Sequence, residues 1–188
     1  PGEQSKSYVD TLPEKSRGKP FDGYILSYTR ATKFTDLLKC LNEHFKGKNP
    51  DEIFIWIDLA GINQHAWMEM KSEDIGKILE VNLTQLFRHV SEGRLIHFDK
   101  AIPTNITRSW CLVELLACLK AQEDTVAQTE ICMTSDVQAQ VLAQDLMQLL
   151  NGLDSSKAQC FNPQDKVSID EQIRRTLVNA GEADINME

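Results

Sequence analysis

No apolar run approaches the roughly 20 residues a membrane-spanning helix needs, and no secretory-signal pattern is present. A membrane span is therefore not expected. Cys-x-x-Cys is also missing, and the five cysteines (Cys40, Cys111, Cys118, Cys132, Cys160) are odd in number. Most lie in apolar runs, so they read as structural thiols of a reduced, cytoplasmic chain rather than a disulfide framework. Neither GxGxxG nor GxxxxGK[ST] occurs, which leaves no Rossmann fingerprint and no P-loop. The four histidines, His44, His65, His89 and His97, have no metal-ligand spacing, and no metal site is expected. Basic charge is in deficit, with 20 Lys and Arg against 28 Asp and Glu. A net charge of -8 disfavours nonspecific binding to nucleic acid or to an anionic membrane. Internal repeats and low-complexity tracts are absent as well.

What is present is an ordinary globular composition, 41% hydrophobic over 188 residues, enough for one domain with a real core. The opening at Pro1 and the polar end suggest a domain excised from a longer chain. Residues 1–20 are polar and rich in Pro, Gly and Ser, and read as an extended or mobile arm. GYILSY (23–28) reads as a buried strand. Phe34, Leu37, Leu38, Leu41 and Phe45 recur at helical spacing, with Thr32 as a possible N-cap. IFIWID (53–58) is apolar rather than alternating up to its closing Asp58, as a parallel strand covered on both faces would be. Residues 59–74 are irregular. Ile75 to Val90 carries the next amphipathic helix, and RLIHF (94–98) a third strand. Trp110 to Leu119 is helical, EICMT (130–134) a fourth strand, and Ser135 or Asp136 caps a helix running to about Leu150. A last helix begins at Asn162-Pro163 with Val167, Ile169, Ile173 and Leu177 apolar. This alternation predicts an α/β domain with a parallel sheet and helices on both faces. Ligands in such sheets bind at the carboxyl ends of the strands. Three polar segments converge on that rim: Tyr28 to Arg30, Asp58 with its loop, and the loop before Trp110. Two Asn-x-Ser/Thr sequons, at Asn82 and Asn105, carry no meaning in a cytoplasmic chain.

The residues resemble a known family. FDGYILSYTRATKFTDLLKCLNEHF is similar to the opening of a Toll/interleukin-1 receptor (TIR) domain: an acidic residue, an apolar strand ending Ser-aromatic, a basic residue, then a helix. SWCLVEL resembles the later motif Ser-x-Trp-Cys-x-x-Glu-Leu, one residue shorter before the Trp. IWIDLAGINQH is similar to the Trp-Ile-Asp-x-x-x-x-Asn-Gln motif of fungal heterokaryon-incompatibility domains, which are distant TIR relatives. The resemblance covers roughly residues 20–150. It implies a flavodoxin-like, three-layer fold with about five parallel strands. The chain then divides into a flexible arm (1–20), a TIR-like domain (21–153) and a helical extension packed on it (154–188). The family implies one of two functions in immune or cell-death signalling. Many members cleave NAD+ at the nicotinamide-ribose bond, giving ADP-ribose or its cyclic form, with NAD+ as substrate and no cofactor. Others act only by homotypic self-association. A third reading is a sensor that binds a nucleotide signal without cleaving it.

The enzymatic members place a Glu four residues after a Trp at the start of a helix, as Trp110 and Glu114 stand here. Bond cleavage passes through an oxocarbenium-like state. Nicotinamide leaves as a neutral molecule, so one carboxylate can suffice, binding ribose hydroxyls and stabilising positive charge. Glu114 is the catalytic candidate. Its alternative is a helix-start Glu favoured by the dipole or paired with an Arg. Trp110 can stack a base or fill the core. Arg30 can meet phosphate or ribose, or sit on the surface; Tyr28 precedes it, with Thr29 where the family often has its basic residue. Asp58 can cap backbone amides of the following loop or bind ribose. Asn63, Gln64 and His65 can read a carboxamide or form a network within the loop. Trp67 and Met68 can anchor an interface or belong to the core. Cys111 is expected to pack rather than to act as a nucleophile.

Overall fold

A computed structural model describes residues 6–18, 22–70, 84–101, 103–124, 127–142, 157–160 and 163–185. Four strands form the sheet: β1 (Tyr24–Ser27), β2 (Ile55–Trp56), β3 (Gly93–His97) and β4 (Gln128–Cys132). The order is β2-β1-β3-β4, and every pairing is parallel. The α/β class expected from the sequence is what forms. The sheet has four strands among the described residues rather than the five the family pattern implied. Three of them fall on the apolar runs expected at 23–28, 53–58 and 94–98; the fourth, QTEIC, begins and ends two residues before the run expected at 130–134.

Among the described residues eight α-helical segments accompany them: α1 (Tyr8–Thr11), α2 (Phe34–His44), α3 (Asp58–Gly61), α4 (Gln64–Met68), α5 (Thr84–His89), α6 (Ser109–Asp124), α7 (Ser135–Leu142) and α8 (Pro163–Ile185). Successive strand residues face opposite sides. Tyr24 and Leu26 of β1, Leu95 of β3 and Cys132 of β4 pack against Leu37 and Cys40 of α2 and Phe45 just after it on one side. Ile25 meets Phe87 and Val90, at and after the end of α5, together with Ala117 and Cys118 of α6, on the other. A third cluster joins Val113 of α6 to Ile169 and Ile173 of α8. The C-terminal helix thus lies on α6, outside the sheet.

Several expectations are corrected in detail. The polar arm is not extended throughout. Ser7 caps α1 in a capping box with Asp10, and Glu14–Ser16 forms a 3-10 turn. The N-cap of α2 is Lys33, not Thr32, whose buried hydroxyl makes no hydrogen bond. The inward stripe of α2 runs through Leu37 and Cys40, leaving Phe34 and Leu38 exposed. β2 is an edge strand of two residues, not an interior strand covered on both faces, and Asp58 already opens α3. In α8, Ile169 and Ile173 are buried one turn apart while Val167 is 70% exposed. The helix expected over 75–90 is described only from Thr84, and that after Ser135 only to Leu142.

Two features tie the layers together. Gly23 has φ +90, and a Cβ there would lie 2.2 Å from the Phe54 carbonyl oxygen, so only glycine lets β1 and the chain before β2 approach this closely. Arg94 of β3 is fully buried and donates to the carbonyls of Phe87 and Ala127 and to the Thr129 hydroxyl. Its fork satisfies the last turn of α5 and the approach to β4 at once. The sequon residue Asn105 is likewise interior, donating from Nδ2 to the His97 carbonyl at 3.0 Å.

Candidate functional site

Parallel strands deliver their following loops to one edge of the sheet, and a cavity of about 440 Å³ opens there. Arg30 reaches it from beyond β1. Asp58, Gly61, Ile62, Asn63, Gln64, Ala66, Trp67 and Met70 come from α3, α4 and their flanks. Trp56 ends β2, Leu86 belongs to α5, and Trp110 and Glu114 come from α6. The irregular, polar-aromatic stretch after β2 therefore forms most of one wall.

Glu114 is the sixth residue of α6, placed where the helix crosses the end of β1. Ser27, the last residue of that strand, shares a face with Ile25 and donates its hydroxyl to Glu114 Oε2. Burial pushes the Glu114 carboxyl up to about 8. The Ser27 hydrogen bond and Arg30 work against that rise, and the Asp58 carboxylate adds to it. The group is thus poised to exchange a proton near neutrality.

Arg30 and Asp58 form an ion pair at 2.5 Å. Arg30 also donates to Gln64 Oε1 at 3.0 Å, while Gln64 Nε2 donates to the carbonyls of Asp58 (3.0 Å) and Ile62 (3.3 Å). Asn63 Oδ1 accepts from the backbone N–H groups of His65 and Ala66, at 3.0 and 3.1 Å, and so caps α4. The polar residues of this loop are largely engaged with one another. Asp58 is not the capping residue expected: its Oδ2 takes Arg30, and its buried Oδ1 makes no hydrogen bond. The Tyr28 phenol approaches the same carboxylate.

The aromatic wall rests on Trp67 and Trp110, edge to face with centroids 5.5 Å apart and planes at 63°. Both pack on the Val113, Ile169 and Ile173 cluster, so α8 supports this wall from behind. Opposite, Gly61 presses on Trp56. A Cβ at Gly61 would stand 2.5 Å from the indole Nε1, so the ring would have to shift.

Of the residues expected at the site, Glu114, Trp110, Arg30, Asp58, Asn63 and Gln64 line the cavity. Tyr28 and His65 do not line it. Tyr28 packs against the α2 side of the core, where burial and the Asp58 carboxylate push its phenol up. His65 is exposed on α4 and enters through its backbone alone. Cys111 is buried, donates to the Tyr28 carbonyl at 3.5 Å, and has its thiol pushed up by burial, as suits a packing residue. Sequence reasoning missed Ser27, although strand alternation from Ile25 could have found it. It also left Trp67 undecided; only the Trp110 contact places it. No group of three or more His, Cys, Asp or Glu suited to a metal occurs among the described residues.

Among those residues no helix is long and apolar enough to cross a membrane. Comparison of the chain with family models, curated proteins and solved structures finds no match to any of them.

Proposed function

We propose that this chain is a TIR-like NAD+ nucleosidase that cleaves the nicotinamide-ribose bond, active on self-association in the cytoplasm. One observation carries the reading. A buried carboxyl, Glu114, shares an aromatic-walled cavity with Asp58 at the carboxyl edge of a parallel sheet, and its proton affinity is raised to about 8. Cleavage requires stabilisation of a ribosyl cation while a neutral base departs. Ionised Glu114 supplies the charge, and Ser27 orients it. Trp110 and Trp67 offer ring faces to the leaving base or the adenine. Arg30 carries the charge suited to a diphosphate, provided it exchanges Asp58 for the ligand.

The test is NAD+ consumption by the purified protein, products resolved by chromatography, at dilute and bead-concentrated protein beside Glu114→Gln. Turnover that rises with concentration and disappears in Glu114→Gln is the expected result. Turnover that persists in folded Glu114→Gln removes Glu114 from the reaction.

A second reading draws on the same carboxyl. A protonated Glu114 hydrogen-bonded to Ser27 donates a hydrogen bond to a nucleotide without cleaving it, which suits a sensor of a nucleotide signal. Nucleotide binding with no NAD+ loss at any protein concentration favours that reading. Self-association with neither binding nor turnover favours an adaptor.

A further inference from the structure

Cys40 and Cys132 lie away from the cavity that holds Glu114. Cys40 is on α2 and Cys132 ends β4, and 92 positions of sequence separate them. Both are fully buried at 0% exposure, and both are free thiols. Their Sγ atoms are 2.9 Å apart, less than about 1 Å beyond the bonded S–S length of about 2.05 Å. The register of β3 and β4 sets His97 directly beside Cys132. His97 is only 4% exposed, and its Nδ1 makes no hydrogen bond. It forms part of the wall of a second cavity, of about 380 Å³, together with Thr32, Lys33, Lys39 and Thr134. Neither thiol lines that cavity; His97 is the side chain that joins it to them.

The two sulfurs are unequal. Hydrogen bonding with Cys132, followed by His97, pulls the Cys40 thiol down against its burial. The Cys132 thiol is pushed up by Cys40 and by burial.

We propose that Cys40 and Cys132 are a peroxide-sensitive pair that closes into a reversible disulfide and fastens α2 to β4. The Cys40 thiolate, its proton passed to His97, attacks one oxygen of hydrogen peroxide. The O–O bond breaks, Cys40 becomes a sulfenic acid, and the departing hydroxide takes the proton from His97 as water. The Cys132 sulfur then attacks Cys40 sulfur. The S–S bond forms, the S–O bond breaks, and the leaving hydroxide takes the Cys132 proton as a second water. Two thiols lose two electrons and peroxide gains them. A small thiol such as glutathione reverses the bond by exchange.

The experiment treats the reduced full chain with hydrogen peroxide, then denatures and alkylates it for intact-mass and peptide analysis. Five alkyl groups are expected before treatment, one per cysteine, and three after it, with Cys40 and Cys132 in one cross-linked peptide that dithiothreitol separates. The unfolding midpoint of the oxidised chain rises by roughly 5–10 °C, because the bond closes a long loop. His97→Gln slows the loss of the two thiols at neutral pH. Five alkylated thiols after treatment, a bridge joining other cysteines, or separate over-oxidised acids at Cys40 and Cys132 would each overturn the proposal. Cys40→Ser gives no bridge on treatment. If that variant does not fold, the wild-type peptide map decides alone.

Discussion

Glu114 owes its proton affinity to place rather than to type. In the unfolded chain its carboxyl ionises near 4.5; folded, burial holds it at about 8. Between those values the native state carries a proton that the unfolded state has released, so stability falls as pH rises. The contribution is fully present below about pH 4.5 and is lost by the time pH passes about 8. Glu114→Gln removes the ionisation. At pH 9 the variant is expected to be more stable than the wild type by up to about 5 kcal/mol, and at pH 4 the two nearly match. Urea unfolding at both pH values checks this; an equal difference at both would contradict it. The same ionisation is expected to make kcat/KM for NAD+ climb up to about pH 8 and then level off. Trp110 and Glu114 were legible as a pair because SWCLVEL resembles a TIR motif that sets a Glu four residues after a Trp. Their neighbours Ser27 and Trp67 were not, since one looked like the end of a strand and the other like any loop aromatic. Each acquires its meaning from a partner far away in sequence.

Among the elements, α8 bears most directly on the site. Ile169 and Ile173 bury against Val113 on the same helix that presents Trp110 and Glu114, and Trp67 packs there too. Truncating Ile169, which is fully buried, is expected to cost about 2–5 kcal/mol. It is also expected to disturb the tryptophan emission of the Trp67-Trp110 pair below the unfolding transition. A variant with normal stability and emission would mean that α8 does not support the wall. The short apolar runs in GYILSY, IFIWID and RLIHF revealed their strands, because apolar residues bounded by turn signals suit a buried strand, whereas β4 (Gln128–Cys132) was placed two residues late. The limits of β2 were less legible. IFIWID looks uniform, yet Asp58 turns out of the sheet into α3 and pairs with Arg30. The stripe of α2 was offset as well, because Cys40, not Leu38, faces the core.

At the scale of the whole molecule, the order β2-β1-β3-β4 brings the loops after β1 and β2 and the start of α6 to one edge. A nucleotide that occupies the cavity stabilises the fold by mass action. At about 100 times its Kd the gain is about 2.7 kcal/mol, or roughly 5–10 °C in unfolding midpoint for a chain of this size. NAD+ is expected to produce this shift in Glu114→Gln, where it survives uncleaved. No shift with NAD+, ADP-ribose or its cyclic form would argue against any nucleotide in this cavity. The sequence by itself determined the α/β class, the four strands and the rim on which the polar segments gather, because hydrophobic periodicity and turn residues are local properties. Only the tertiary structure decided that Asp58 pairs with Arg30, that Tyr28 and His65 stand outside the cavity, and that two thiols 92 positions apart in the chain lie side by side. These are contacts between distant segments, and packing settles them through shape and burial, which no short window of sequence contains.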